Sequence, residues 1–452
     1  MSSSLATAAP LPAVAPASRP ADPLLEPTFS AALDASLDPA WLADRRRAAW
    51  RQFATRAIPT RKDERWRFAT LQGLSLDGFH VPAAAPTGAV APDLKQRSAL
   101  VPAVAQLTFA DDYLLDHAPL PAELARKGVI FLPLAEAVVR HPELLREHLF
   151  THDRALGGDK FLGLHQAHTR AGTFLYVPDG VEIPETFVAA HWAASPGAAI
   201  FPHTLIIAGA NTTINFLDFY ASASPAGAAL AVGAATVLAG PGSRVFRKSI
   251  QNLNTDSLAF QMDTSLGERD ATVKNITVHL GARRSRFENQ ARLIGPGAHL
   301  KLYALTIGTA KQEFDQRTFQ DHVAPRATSD LLYKNALLDD ARSIFAGMIR
   351  VEPAAAETDA YQQNRNLLLG PAAEANSLPG LEIMNCNVRC THGATTGRID
   401  PEQFFYLRSR GIPAATAYQL LVFGFFEEVI EKVENAPLSE LLHTLVRQKF
   451  AK

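Results

Sequence analysis

The chain has 452 residues, more than one hydrophobic core usually organises, so two or three domains are expected. Hydrophobic residues at 47% and charged residues at 20% describe a globular protein, and 44 basic against 45 acidic residues leave a formal charge of -1, which argues against bulk nucleic-acid binding. No apolar run reaches the roughly 18 residues of a membrane span, and the two cysteines, Cys386 and Cys390, cannot form a disulfide framework, so a reducing cytoplasmic compartment is expected.

Residues 1–27 are mostly Ala, Pro and Ser and read as a disordered arm. The arm lacks a basic n-region, and Pro10, Pro12 and Pro16 interrupt any apolar core of a secretory signal; a plastid transit peptide stays open beside the cytoplasm of a bacterium. Asp38 followed by Pro39 announces a helix running through Trp41, Leu42, Trp50 and Phe53, with Arg45, Arg46 and Arg47 as a solvated face. In the segment 60–70, Trp66 and Phe68 alternate with charges as a strand or packed loop would. Residues 82–92 read as an Ala/Pro linker, 105–109 and 129–132 as strands, and 135–140 and 142–150 as helices. A mixed, largely helical domain over 28–165 fits this order.

From Gly172 onward the texture changes to β-branched and aromatic runs separated by Gly, Asn and Pro. Strands are expected at 174–177, 204–207, 212–216, 271–278 and 299–303. A turn phrase recurs: Leu238-Ala239-Gly240-Pro241-Gly242-Ser243-Arg244-Val245 matches Leu293-Ile294-Gly295-Pro296-Gly297-Ala298-His299-Leu300, with a looser copy at 208–212. Repeated glycine corners favour a parallel β-helix over a sandwich, whose hairpins call for Asn-Gly or Asp-Gly turns. The Asp-Gly pairs here lie outside the main β run or at its start, as in Asp179-Gly180. The β-helix domain is placed at 166–399.

Read as a strand, Cys386, Val388, Cys390 and His392 share one face. Two readings stand side by side: buried small hydrophobes beside a hydrogen-bonded histidine, or soft metal ligands. Residues 400–452 form a helical tail of three segments. Asp400, Pro401 and Gln403 start the first, Gly411 ends it, Pro413 opens the second, and Leu438, Leu441, Leu442, Leu445 and Val446 stripe the third.

Four stretches carry a resemblance: Arg61-Lys62-Asp63-Glu64-Arg65-Trp66-Arg67-Phe68, Tyr176-Val177-Pro178-Asp179-Gly180-Val181, the run from Thr358 to Leu369, and Cys390-Thr391-His392-Gly393-Ala394-Thr395. Phe404 to Ile412 and Gly424 to Val429 extend it. Together they resemble the SufB/SufD family, scaffold subunits of the SUF iron–sulfur cluster assembly machinery, and the SufD branch of it. The Cys-x-His-Gly phrase separates this chain from the SufB branch. The resemblance implies a mainly β protein: a right-handed parallel β-helix between an N-terminal α/β domain and a C-terminal helical domain. It implies a non-catalytic scaffold acting with a SufB-like subunit, met through the β-helix, and with a SufC-like ATPase, met through the tail at Phe404, Phe405, Tyr406, Arg410, Gly424, Phe425 and Phe426. It implies His392, and more weakly Cys390, as ligands of an iron–sulfur cluster that is transient and shared with the partner. Cys386 has no matching role. A flavin at the level of the complex and a homodimer of the isolated chain are left open.

Two or three donors on one strand cannot complete a four-ligand cluster site, so further ligands have to come from another chain. A rival reading is a β-helix enzyme acting on polysaccharide or in acyl transfer, with Asp315, Arg317, Asp321, His322 and Asp330 on one flank. A third is a passive dimerisation protein. No Walker-type phosphate loop is present, so ATP use falls to a partner.

Overall fold

A computed structural model describes residues 29, 38–60, 62–69, 74–87, 90–152 and 155–450. The arm expected over 1–27 lies outside the described residues. Two ten-stranded sheets face each other, and consecutive strands alternate between them. One sheet carries Glu182–Ala193, Thr213–Ser222, Arg244–Asn252, Thr272–His279, His299–Gly308, Thr328–Leu337, Asp359–Leu368 and Arg389–Gly397. The other carries Gly172–Val177, His203–Ala208, Leu230–Ala239, Leu258–Gly267, Arg284–Leu293, Glu313–His322, Arg342–Val351 and Glu374–Ile383. Neighbours within each set pair in parallel, giving a β-solenoid of about eight coils. The five strands expected after Gly172 fall within members of this set, apart from starts one residue early at Thr212 and Ala271.

The recurring turn phrase is a stacked corner of the coils. Gly180, Asn211, Gly242, Asp270, Gly297, Arg326 and Glu357 all have positive φ there. Each corner bonds to the next: Asn211 N–H to the Pro241 carbonyl at 2.8 Å, Gly242 to Arg269 at 2.8 Å, Asp270 to Pro296 at 3.0 Å and Gly297 to Pro325 at 3.2 Å. The repeat lives in backbone conformation rather than in residue identity, which is why only the two Gly-Pro-Gly copies stand out in the sequence.

At the first coil, strand Ala105–Ala110 pairs in parallel with Glu182–Ala193 and antiparallel with Tyr113–Ala118, while Ile130–Pro133 pairs antiparallel with Gly172–Val177. Tyr113–Ala118 and the helices Val90–Arg97 and Asp159–His168 have no counterpart among the expected elements. Helix Asp159–His168 packs on Ala40–Thr55 at Gly163, where a Cβ would stand 3.0 Å from the Ala49 carbonyl oxygen.

Two local expectations are corrected. The helix begins at Ala40 with Pro39 as its N-cap, and the Asp38 carboxylate turns to Arg46 Nε at 2.6 Å instead of capping. Of the arginine run, Arg47 is exposed as expected, but Arg46 is buried, and Arg45 donates to the Leu149 carbonyl at 2.7 Å and the Arg146 carbonyl at 2.6 Å. The Asp38 carboxylate and the Ala167 carbonyl at 3.3 Å partner the buried Arg46 guanidinium, while burial, the larger effect, holds its pKa below the ordinary value.

The tail follows its reading closely. Asp400 accepts from Glu402 N–H at 2.9 Å ahead of helix Pro401–Ser409, and Gly411 leaves it at φ 85°. Helices Ala414–Ile430 and Ala436–Phe450 then bury Val422, Phe426, Val429, Ile430, Leu438 and Leu442 against Ile250, Ile276 and Leu305 on the outer face of the first sheet. Lys334 Nζ reaches the Phe425 carbonyl at 2.8 Å and Glu428 at 2.5 Å; Lys274 Nζ reaches the Lys432 carbonyl at 3.1 Å and Glu434 at 2.7 Å. Cations at a helix C-terminus complement its dipole, so these lysines anchor the tail.

The space between the sheets is polar as well as apolar. Arg247 bridges Asp218 at 2.7 Å and Asp263 at 2.6 Å with all three side chains buried. His191, His203 and His279 are buried too, and burial pushes each down to about 3, with Arg247 adding to the shift of the first two. Their folded pKa lies below the ordinary 6.5, so the unfolded chain takes up protons that the folded chain refuses, and stability is lost as pH falls through 6.5. Each is expected to cost about 2 kcal/mol between pH 7 and pH 5, measurable as a falling urea midpoint. A midpoint flat over that range contradicts neutral burial.

Candidate metal centre at the terminal coil

Among the described residues nothing covers the last coil of the solenoid. Strands Glu374–Ile383 and Arg389–Gly397 are the edges of the two sheets, each paired on one side alone among the described residues. One coil earlier, Ala360, Gln362, Asn364 and Asn366 face inward and are buried. In register with them stand Cys390, His392, Ala394 and Thr396. No further coil follows to close over that row, so His392 is exposed. On the facing strand and just past it, Leu381, Ile383 and Met384 are 37%, 41% and 43% exposed, an apolar interior left open.

Cys390 and His392 share a face, as the alternation implies. Cys386 does not join them: the strand starts at Arg389, and Cys386 sits exposed in the turn before it, where period-two alternation does not apply. Val388 and Cys390 are half-buried against Ile349, Val351 and Ala360. Burial, with the Asp359 carboxylate adding to it, pushes the Cys390 thiol up, so this sulfur stays protonated and is a poor ligand unless a metal or cation displaces the proton. Among the described residues no group of three or more His, Cys, Asp and Glu is placed to hold a metal ion. The edge thus presents one thiol and one imidazole, fewer than the four ligands that an iron–sulfur cluster takes.

A family model for the SUF system FeS cluster assembly SufBD core domain matches residues 191–425, and one for the SufBD protein N-terminal region matches 31–187. The chain belongs to the SufBD family. It is 27% identical over 407 residues to the iron-sulfur cluster assembly protein SufD of Escherichia coli strain K12, covering 88% of this chain and 91% of that protein. It is 27% identical over 335 residues to the SufD of Bacillus subtilis strain 168, covering 74% and 76%. An iron-sulfur cluster assembly SufBD family protein of Mycobacterium tuberculosis strain H37Rv is 38% identical over 190 residues, covering 40% of this chain and 48% of that one. Membership makes this chain a component of SUF iron–sulfur cluster assembly, a system of partner subunits, and the polysaccharide or acyl-transfer reading is not favoured.

The residues of that rival reading do not converge on one site: Asp315, Arg317 and Asp321 share one face of strand Glu313–His322, while His322 and Asp330 lie elsewhere. Asp315 is held by Arg286 and by Arg317 at 2.6 Å; Asp321 sits between Arg292 at 2.9 Å and Arg350 at 3.0 Å. His322 points to the opposite face of its strand from Asp321 and meets Ser329 Oγ at 2.8 Å, and Asp330 accepts from the Tyr303 hydroxyl at 2.7 Å on the other sheet. Every one of them is engaged in holding the coils.

Sequence reasoning missed the purpose of the N-terminal SufBD phrase. Trp66 lies under the Arg286 guanidinium at 3.7 Å and donates to the Gly157 carbonyl at 2.8 Å. Arg286 donates to the Arg65 carbonyl at 3.1 Å and Arg317 to the Arg67 carbonyl at 2.9 Å. The phrase is a clamp on the second sheet, and the only hint of it lay in the charged outer positions of strands Arg284–Leu293 and Glu313–His322.

The tail residues divide. Phe405 is 72% and Tyr406 56% exposed, with Arg410 over the Tyr406 ring at 5.1 Å, and Gly424 is exposed. Phe404 and Phe425 are half-buried. Phe426 is fully buried between tail and sheet, so it cannot meet a partner without unpacking the helix, and its place in the docking set is withdrawn.

Proposed function

We propose that this chain is the SufD-type scaffold subunit of a bacterial, cytoplasmic SUF complex, non-catalytic in itself, with the iron–sulfur cluster as its cargo. Its terminal coil meets a SufB-like subunit, and the cluster forms transiently on ligands from both chains, His392 first and Cys390 second on this side. The observation that carries the reading is the open last coil, where two unpaired strand edges and exposed Leu381, Ile383 and Met384 surround an exposed imidazole. Unpaired edges are templates for another chain, and imidazole and thiol are donors suited to iron. Without that partner the same edge can accept a second copy of the chain. A flavin, where one occurs, belongs to the assembled complex. The test is the set of proteins that copurify anaerobically with the full chain, with their iron and sulfide content; a chain recovered alone and free of both counts against the proposal.

The exposed surface of helix Pro401–Ser409 is proposed to dock a SufC-like ATPase. That helix has no buried residue, and large exposed aromatics on a surface are commonly covered by a partner. Removing residues 400–452 would strip the first sheet of its apolar cover, so point substitutions are the cleaner probe. The double substitution Phe405→Glu and Tyr406→Glu is expected to weaken ATPase capture about thirtyfold or more, about 2 kcal/mol for a pair of interface aromatics. Capture at wild-type strength refutes the docking site.

A further inference from the structure

Between the sheets, near the corner opposite the glycine phrase, lies a small cavity that leaves about 20 Å³ for the centre of a water molecule. On one wall, Tyr220, Gln251 and His279 stand in register on three neighbouring strands. Facing them, Ala231, Ala259 and Ser285 are in register on the second sheet, and it is their small side chains that leave the room. Ser249 and Thr277 contribute two more hydroxyls to the lining.

His279 is 3% exposed, and neither of its ring nitrogens has a hydrogen-bond partner among the described residues. A neutral imidazole carries one donor and one acceptor, and leaving both unmet inside a protein is costly. The neighbouring Gln251 makes no bond to the ring; its amide donates to the Gly281 carbonyl at 3.1 Å and accepts from Gly281 at 3.0 Å and Leu253 at 3.2 Å. The Phe287 ring meets the imidazole in an edge-to-face contact at 4.8 Å and offers no polar atom. The hydroxyls of Ser249, Thr277 and Ser285 rotate freely and can either donate or accept.

We propose that the solenoid core binds an ordered water molecule in this cavity, held by His279 and by the hydroxyls of Ser249, Thr277 and Ser285. The space exceeds the roughly 10–15 Å³ that one water needs by this measure, and the lining supplies the two to four polar partners that a buried water makes. No charged side chain lines the cavity, so an ion has nothing to neutralise it there, and water is the ligand of matching chemistry. The depressed pKa of His279, about 3 by burial, agrees: the ring stays neutral and presents the donor and acceptor that water can satisfy together. The water then satisfies the polar atoms of His279 that no protein group meets and adds a polar link between the two sheets.

A crystal structure of the full chain that resolves ordered solvent is expected to place one water within hydrogen-bond distance of His279 and of at least one of the three hydroxyls. A dry cavity, or His279 with its nitrogens bonded to protein atoms instead, overturns the proposal. Ser249→Val fills the cavity from the same wall that carries His279 and leaves the His279 side chain in place. Magnetic relaxation dispersion, which counts long-lived internal waters, is expected to find one fewer in that variant, and an unchanged count overturns the proposal as well. Both readouts are independent of cluster chemistry, so their failure is distinguishable from failure of the assembly function.

Discussion

His392→Ala is expected to lower the iron–sulfur cluster yield of the anaerobically reconstituted complex about tenfold or more, the scale on which even outer-shell changes at metal sites act. The chain should stay folded. His392 is exposed on the last strand, its loss opens no cavity, and exposed substitutions usually stay within about 0.5 kcal/mol of wild type. Complex formation should survive too, because the strand edges and the apolar residues Leu381 and Ile383 remain. His392→Cys should retain more yield than His392→Ala if ligation is the role, since a thiolate is itself a ligand for iron. Iron and sulfide content scored beside the melting temperature separates the outcomes: unchanged yield in the alanine variant rejects ligation, and a collapsed melting temperature points to a structural role.

Arg247→Met should produce the largest loss of stability, about 3–5 kcal/mol, the cost of breaking a buried ion pair from one side. Asp218 and Asp263 would be left facing each other in the core, with Asp218 keeping only its bond from the Thr204 hydroxyl at 2.8 Å. Burial already pushes the Asp218 carboxyl up, and Arg247 is what opposes that push. Removing the guanidinium raises the folded pKa of the Asp218 carboxyl further above the unfolded value, so the folded variant binds protons more tightly than the unfolded one. Its deficit relative to wild type should therefore shrink as pH falls from 7 toward 5. Urea unfolding at several pH values reads this directly. Adding Asp218→Asn and Asp263→Asn should recover much of the loss; a deficit that does not recover points to packing rather than charge.

The β-solenoid was legible because its strands are rich in β-branched residues and two of its corners repeat as Gly-Pro-Gly. The remaining corners use Asn211, Asp270, Arg326 and Glu357 at the same backbone angles, and residue identity hides that repetition. Cys390 and His392 were placed on one face by strand alternation alone, but alternation could not say where the strand begins, and Cys386 falls outside it. Nor could it say that the last coil lacks a cover, since exposure there depends on what the chain does afterwards. Arg46 illustrates a different limit: a run of three arginines reads as solvated until Asp38 and the Ala167 carbonyl, 121 residues away for the latter, come to meet it. Phe426 was read together with Phe425 as docking surface, and helical phase turns it to the opposite fate, into the core.

The most direct measurement is the iron and sulfide bound after anaerobic reconstitution of the purified chain alone, compared with the same chain in complex with its SufB-like partner. A shared site at the terminal coil requires the isolated chain to hold no stoichiometric cluster and the complex to hold one that depends on His392. A full cluster on the isolated chain, or one on the complex that is indifferent to His392, would contradict it.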